Sequence, residues 1–198
     1  MKTKKKALAL VLCAVLLVAV SVTATVAFLT SKDSVKNTFT IGKVSITLDE
    51  AQVNEYGEKV APETRVKTNE YTLLPSHTYV KDPTVHFAAG SEASYIFAVV
   101  YDGLTAIEDD TTIAAQIVAN GWTKYDAAGV AGSVYYKKVD ANETNSAIDY
   151  KLFDSFTIKD TTSDLSGYEE ATIEIKAYAI QSEGLATAAE AFAQLTLD

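Results

Sequence analysis

The sequence predicts an all-β fold, a two-layer antiparallel β-sandwich with one or two short helices. Seven or more short segments have strand patterns and are separated by turn signals, which is typical of a sandwich. Eleven tyrosines and one tryptophan supply rings that suit half-buried strand faces. Beyond the N-terminal run, only two short segments have helical patterns. The sandwich domain is expected to comprise residues 37–198.

The N-terminus has the pattern of a secretory signal peptide. Four lysines among the first six residues precede an uncharged run from Ala7 to Leu29, which ends in small residues. We expect residues 1–27 to be removed by cleavage between Ala27 and Phe28. The alternative is an uncleaved membrane anchor, because the run is long enough for a helix of about 20 residues to span a bilayer.

Composition restricts the partners of the exported part. The chain has 17 basic and 26 acidic residues, and four of the basic ones lie in the leader. The remaining strongly acidic surface repels nucleic acid and anionic lipid. The one cysteine, Cys13, also lies in the leader, so the exported domain is expected to fold without disulfides.

The first half of the domain begins with an alternating apolar pattern at 37–48. The apolar residues change from odd to even positions across Gly42 and Lys43, which predicts either two short strands or one bulged strand. The polar segment 49–68 is expected to be a loop. Pro83 cannot donate a hydrogen bond, so it is expected at a sheet edge or a bulge. Segment 95–101 is apolar on both parities and predicts a strand buried on both faces. Shorter strands are predicted at 71–74 and 78–87.

The second half contains both predicted helices. Acidic and threonine residues precede 113–118, and Gly121 follows it, which predicts a short helix. The stripe of small and apolar residues at 185–195 predicts a helix that covers one end or face of the sheets. At 172–180, strict alternation predicts a strand buried on one side only. A hairpin is predicted at 122–125 and 133–139, and another strand at 148–158.

The residues do not indicate catalysis, and no cofactor is expected. His77 and His86 are not spaced as zinc ligands on a helix, and there is no nucleophile elbow. The acidic clusters at 108–110 and 160–164 lack the ligand spacing of a calcium loop, although weak calcium binding stays open. Amide crosslinks between lysine and asparagine or aspartate, assisted by a buried acid, could replace disulfides; the alternative is that these side chains are free at the surface. The candidates for such bonds are Lys81, Lys151, Asn142 and Asn145.

Several short motifs occur in a recognisable order. They are 23–31 (TATVAFLTS), 37–48 (NTFTIGKVSITL), 74–85 (LPSHTYVKDPTV) and 134–139 (VYYKKV). In this order the chain resembles the camelysin/TasA family, well over residues 20 to 100 and loosely beyond them. The resemblance implies a jelly-roll sandwich that polymerises into extracellular biofilm-matrix fibres of Gram-positive bacteria. It also implies processing by a SipW-type signal peptidase.

In that family the segment exposed by cleavage can serve as a donor strand for a neighbouring subunit. Matched to this chain, the donor is segment 28–36. The alternative is that this segment frays or pairs within its own subunit. The expected assembly residues are Phe28, Leu29 and Val35 of the segment, and Phe39 and Ile41 of the strand that follows it.

The resulting expectation is a non-enzymatic, secreted homopolymer in the extracellular matrix or at the cell surface. An accessory matrix subunit is a further expected partner, and membrane contact is expected only through the uncleaved leader. One alternative is a camelysin-like secreted metallopeptidase, although no zinc motif is present. The other is a monomeric cell-surface binding module. Its contact surface would be the aromatic residues Trp122, Tyr125, Tyr135 and Tyr136.

Overall fold

A computed structural model describes residues 2–29, 42–160 and 164–197. The chain divides into two compact units, Met1–Thr40 and Ile41–Asp198. In the first unit, helix α1 spans Lys2–Leu29. Across the described residues, no helix combines the length and the apolar character needed to cross a membrane.

The second unit consists mainly of strands, all paired in antiparallel fashion, so the predicted all-β class is confirmed. Its helices are α2 (Ile113–Ala119) and α3 (Ala188–Phe192), and Ser166–Tyr168 forms a 3-10 turn. The strands are β1 (Ile46–Ala51), β2 (Arg65–Val66), β3 (Thr78–Val80), β4 (Thr84–Phe87), β5 (Ser94–Asp102), β6 (Thr123–Tyr125), β7 (Ser133–Val139), β8 (Ile148–Lys151), β9 (Ser155–Thr157) and β10 (Ile173–Gln181).

These strands form two larger sheets and one small one. The first sheet has the order β2-β1-β4-β8, and the second has the order β10-β5-β7-β6. Strand β3 pairs with β9. The predicted hairpin at 122–125 and 133–139 is confirmed, since β6 pairs with β7.

The strands predicted at 78–87 and 148–158 are each divided in two. The β3–β9 and β4–β8 pairs share one register, so the divided strands continue the same ladder. Across the gap, the Lys81 amide donates to the Asp154 carbonyl (3.1 Å), and the Leu152 amide donates to the Pro83 carbonyl (2.9 Å). Pro83 therefore stands just before an internal strand, not at the predicted sheet edge or bulge.

Strand β5 is buried on both faces, as predicted. On one face, Ile96 and Ala98 belong to a large core that includes residues of both four-stranded sheets, such as Val85 of β4. On the other face, Phe97 and Val99 belong to a second apolar cluster that α3 covers. Apolar area removed from water in this way is the main source of stability.

Both predicted helices form, but the second is shorter than its pattern. Helix α2 begins after Thr112, whose side chain caps it, and ends at Asn120 before Gly121 in the left-handed region. Helix α3 covers only 188–192 of the predicted 185–195. It covers the outer face of the second sheet, as the sequence predicts.

Three other expectations require correction. Segment 71–74 is not a strand, although Tyr71 and Leu73 pack against the core. Segment 49–68 is not all loop, because it holds the end of β1 and all of β2. Strand β10 is not buried on one side only: Ile173 to Ala179 pack on the core at alternate positions, while Tyr178 and Ile180 pack in the second cluster. The second face of β10 is therefore apolar at Tyr178 and Ile180 and polar at Glu174 and Lys176.

Candidate functional site

A groove of about 1200 Å³ opens beside β1 and the start of β10. These two strands come close together although they belong to different sheets. Loop 67–73 and the segment 165–172 form its remaining sides. Its apolar lining comes mainly from Leu48, Leu73, Leu104, Phe156, Leu165, Ile173 and Ile175. The groove thus opens directly onto the core, since Leu104 and Phe156 are core residues.

Strand β1 offers main-chain hydrogen-bonding groups on the side away from β4. The Ala88 amide donates to the Ser45 carbonyl, so alternate residues from Ser45 onward bond to β4. The main-chain groups of Ile46 and Leu48 therefore point away from β4. On that side β2 pairs only with Glu50 and Ala51.

One of those outward groups already has a partner, since the Lys67 ammonium donates to the Leu48 carbonyl. Within the described ranges, no strand pairs with Ile46 or Leu48 on this side. An extended segment could add here by forming main-chain hydrogen bonds, the mode known as β-augmentation.

The groove carries more negative than positive charge. Two lysines contribute to its lining, Lys67 and Lys81. The acidic lining residues are Asp49, Glu50, Glu70, Glu169 and Glu174. A segment with positive charge would therefore be favoured over an acidic one.

A network of charged groups joins β1, β2 and β4, and one of its members, Asp49, lines the groove. Arg65 bonds to Asp49, and its Nη1 lies 3.4 Å from Oδ2 of Asp82. His86 lies between two acids, with Nε2 2.8 Å from Asp49 Oδ1 and Nδ1 2.6 Å from Asp149 Oδ1. Burial works to raise the pKa of Asp49, but hydrogen bonds from Arg65 and His86 outweigh it and lower that pKa.

The same partners act on His86 in the opposite direction. Burial works to lower its pKa, but hydrogen bonds to Asp49 and Asp149 outweigh it and raise that pKa. The imidazole is therefore held in its charged form to a higher pH than a free histidine. This arrangement ties β1, β4 and β8 together.

A second polar group lies deeper, under loop 67–73. Lys81 Nζ is 2.5 Å from Glu50 Oε2, and both side chains are over nine-tenths buried. The other carboxylate oxygen, Oε1, accepts from Asn69 Nδ2 (2.9 Å). Tyr71 closes this site: its hydroxyl donates to the Val80 carbonyl (3.1 Å), and burial together with the charge of Glu50 raises its pKa.

The predicted cleavage and assembly residues lie either at the end of α1 or outside the described residues. Ala27, Phe28 and Leu29 fall at the end of α1. Val35, Phe39 and Ile41 lie outside the described residues. The structure therefore describes a groove but not the segment expected to fill one.

The two histidines do not come together. His77 Nε2 contacts the Tyr56 carbonyl (2.8 Å), while His86 belongs to the charged network. Over residues 2–29, 42–160 and 164–197, no group of three or more histidine, cysteine, aspartate or glutamate side chains is placed to hold a metal ion.

The four aromatic residues suggested as the contact surface of a binding module do not form an exposed surface together. Trp122 and Tyr135 are 2% and 1% exposed, so both are core residues. Tyr125 and Tyr136 pack in the cluster beneath α3. Core packing and sheet cover account for these four rings.

Sequence reasoning did not locate the groove, because two of its sides, 67–73 and 165–172, come from segments without regular periodicity. The sequence offered one signal for the groove, which was apolar residues beside polar segments. These residues are Tyr71, Leu73 and Leu165. No protein-family model, curated protein or solved structure matches this chain.

Proposed function

We propose that this chain is a secreted structural subunit of extracellular matrix fibres. In this proposal, cleavage after Ala27 frees segment 28–36, which enters the groove of a neighbouring subunit. The domain is then a jelly-roll sandwich that lacks one strand and receives it from its neighbour. The observation that carries the proposal is the open groove beside β1, which combines an apolar lining with outward main-chain groups.

The chemistry of segment 28–36 suits that groove. Phe28, Leu29 and Val35 are apolar, while Lys32 and Lys36 are basic and would face an acidic lining. Nine residues in extended form reach about 30 Å, enough to follow a strand edge of ordinary length. Alternate side chains would fill the groove while the backbone bonds to β1.

Such an exchange produces open filaments. Each subunit gives its N-terminus and accepts another, so the contact is heterologous and need not close into a ring. While the leader is attached, the donor segment is not a free N-terminus. Removal of the leader by a SipW-type signal peptidase would therefore control when assembly begins.

The first test removes the donor. The mature chain beginning at Phe28 should form filaments, followed by light scattering and negative-stain microscopy. Deletion of 28–36 should leave a folded monomer, because the groove belongs to the second unit. Filaments that persist after this deletion would exclude segment 28–36 as the donor.

The second test blocks the acceptor with a matched pair of variants. Leu73 lines the groove, whereas its neighbour Leu74 is 41% exposed and does not. Leu73→Arg should reduce filament yield at least tenfold, and Leu74→Arg should leave it nearly unchanged. Circular dichroism should show both variants folded. Equal filament yields from the two variants would exclude this groove as the acceptor.

A further inference from the structure

Lys81, Glu50 and Asn69 form a hydrogen-bonded triad in the lining of the groove. Lys81 Nζ and Asn69 Nδ2 contact the two different oxygens of one carboxylate, that of Glu50, at 2.5 and 2.9 Å. Glu50 is 4% exposed and Lys81 is 7% exposed. A buried ion pair of this kind is costly to form, so its presence calls for a reason.

The surroundings of Asn69 are those of an activated amide. Its Oδ1 accepts a hydrogen bond from the Val53 amide (3.0 Å), which polarises the side-chain carbonyl and would stabilise negative charge on that oxygen. Its Nδ2 also donates to the Ala51 carbonyl (2.9 Å), which fixes the orientation of the amide. The Tyr71 ring lies beside the Lys81 ammonium, 5.9 Å from centroid to Nζ, and helps to exclude water.

We propose that Lys81 and Asn69 become joined by an intramolecular isopeptide bond, with Glu50 as the proton carrier. This inference is independent of the proposed function. Among the lysine and asparagine candidates considered from sequence, Lys81 is retained. Lys151 instead pairs with Asp154 at the surface, and the Asn142 amide bonds to the carbonyls of Phe87 and Ser146.

The reaction balances without an oxidant or any other reagent. Glu50 takes a proton from the Lys81 ammonium, and the lone pair of the resulting amine attacks Cγ of Asn69. The tetrahedral oxygen is held by the Val53 amide. Glu50 then delivers a proton to Nδ2, the Cγ–Nδ2 bond breaks, and ammonia leaves. Glu50 takes the second proton from Nζ and is left as the neutral acid. The new Nζ–Cγ amide carries no charge, so the buried ion pair is removed.

The bond would link loop 67–73 to the chain just before β4. It would close a covalent ring between positions 69 and 81, which restricts the unfolded chain as a disulfide does. No cysteine follows Cys13 in the sequence, so the second unit cannot form a disulfide of its own. The bond would also fix one wall of the groove.

Intact-mass spectrometry of the denatured, purified protein tests the proposal. After the N-terminus has been determined, the mass should be lower than the sequence mass by one ammonia. Glu50→Gln and Lys81→Arg should restore the full mass. Lys151→Arg, a matched change at an exposed ion pair, should keep the deficit. A full mass in wild-type protein that is shown to be folded overturns the proposal, and leaves the triad as an ion pair only.

Two further measurements identify the bond. Cleavage after glutamate should leave segments 64–70 and 71–92 joined, because Asn69 and Lys81 lie on opposite sides of Glu70. A deficit confined to segment 64–70 alone would overturn the proposal. In Asn69→Asp, the same reaction should release water in place of ammonia. A deficit of one ammonia that persists in Lys81→Arg would also overturn it.

Discussion

Glu108 is a buried carboxyl whose hydrogen bonds are only half satisfied. It is 2% exposed; its Oε1 accepts from the Ile113 amide at the start of α2 (3.1 Å), while Oε2 has no partner in the described part of the chain. Burial, opposed by the Ile113 bond and reinforced by the charge of Asp102, raises the pKa of Glu108 to about 7. The folded state therefore favours the protonated acid.

This pKa predicts stability that declines as the solution becomes alkaline. The contribution of Glu108 is complete below its unfolded pKa near 4.5 and is lost as the pH rises through about 7. We expect Glu108→Gln, which stays neutral and keeps the acceptor for Ile113, to be more stable than wild type at pH 8 by on the order of 2 kcal/mol. Urea unfolding at pH 5 and pH 8 measures the difference.

The raised pKa of His86 also makes stability decline as the pH rises, so the pH dependence of wild-type stability includes contributions from both His86 and Glu108. The comparison between Glu108→Gln and wild type isolates the carboxyl. Glu143 is exposed, and Glu143→Gln provides the control, with an unchanged profile. If Glu108→Gln and wild type lost stability in parallel between pH 5 and pH 8, the raised pKa would be wrong.

At the scale of elements, α3 depends on its packing more than on its own propensity. It has five residues, too few for an isolated helix. A capping box between Thr187 and Glu190 orders its first turn. Phe192 anchors it, with ring centroids 5.2 Å from Phe97 and 5.0 Å from Tyr125.

Phe192→Ala should therefore release α3 and uncover the rings beneath it. We expect a loss of about 2 to 3 kcal/mol in the free energy of unfolding, below the range for a fully buried ring because Phe192 is only partly buried. Faster amide exchange should be confined to 185–195 and the adjacent faces of β5 and β6. The exposed neighbour Gln194→Ala is the control, and an equal loss in both variants would contradict an anchoring role for Phe192.

Elements with strong alternation were predictable, and the interruptions within them were not. Strand β10 follows from strict alternation, and strand β5 follows from a continuous apolar run. The division of 78–87 and 148–158 depends on two chain segments that break at the same level of one ladder, a long-range coincidence that no local window contains. Likewise, Tyr178 and Ile180 of β10 belong to a second cluster that includes residues of α3, which local alternation in the sequence does not show.

For the whole molecule, the sequence predicted the all-β class and a candidate donor but not the groove. The groove is formed by β1, β10 and two irregular segments that are far apart in sequence. The triad of Glu50, Asn69 and Lys81 was hidden for the same reason, since its members lie on β1, on a loop and in the link between β3 and β4. Tertiary contacts alone bring these residues together.

If segment 28–36 fills the groove between subunits, the segment as a free peptide should compete with it. A synthetic peptide of residues 28–36, added in excess to the mature chain beginning at Phe28, should occupy open grooves and slow filament growth severalfold, as measured by light scattering. Its basic residues face an acidic lining, so inhibition should weaken as salt rises. A scrambled peptide has the same charge but places its apolar side chains out of register, and should inhibit far less. Equal inhibition by both peptides would mean that charge alone is responsible for inhibition, and that the segment does not bind the groove as a strand in a defined register.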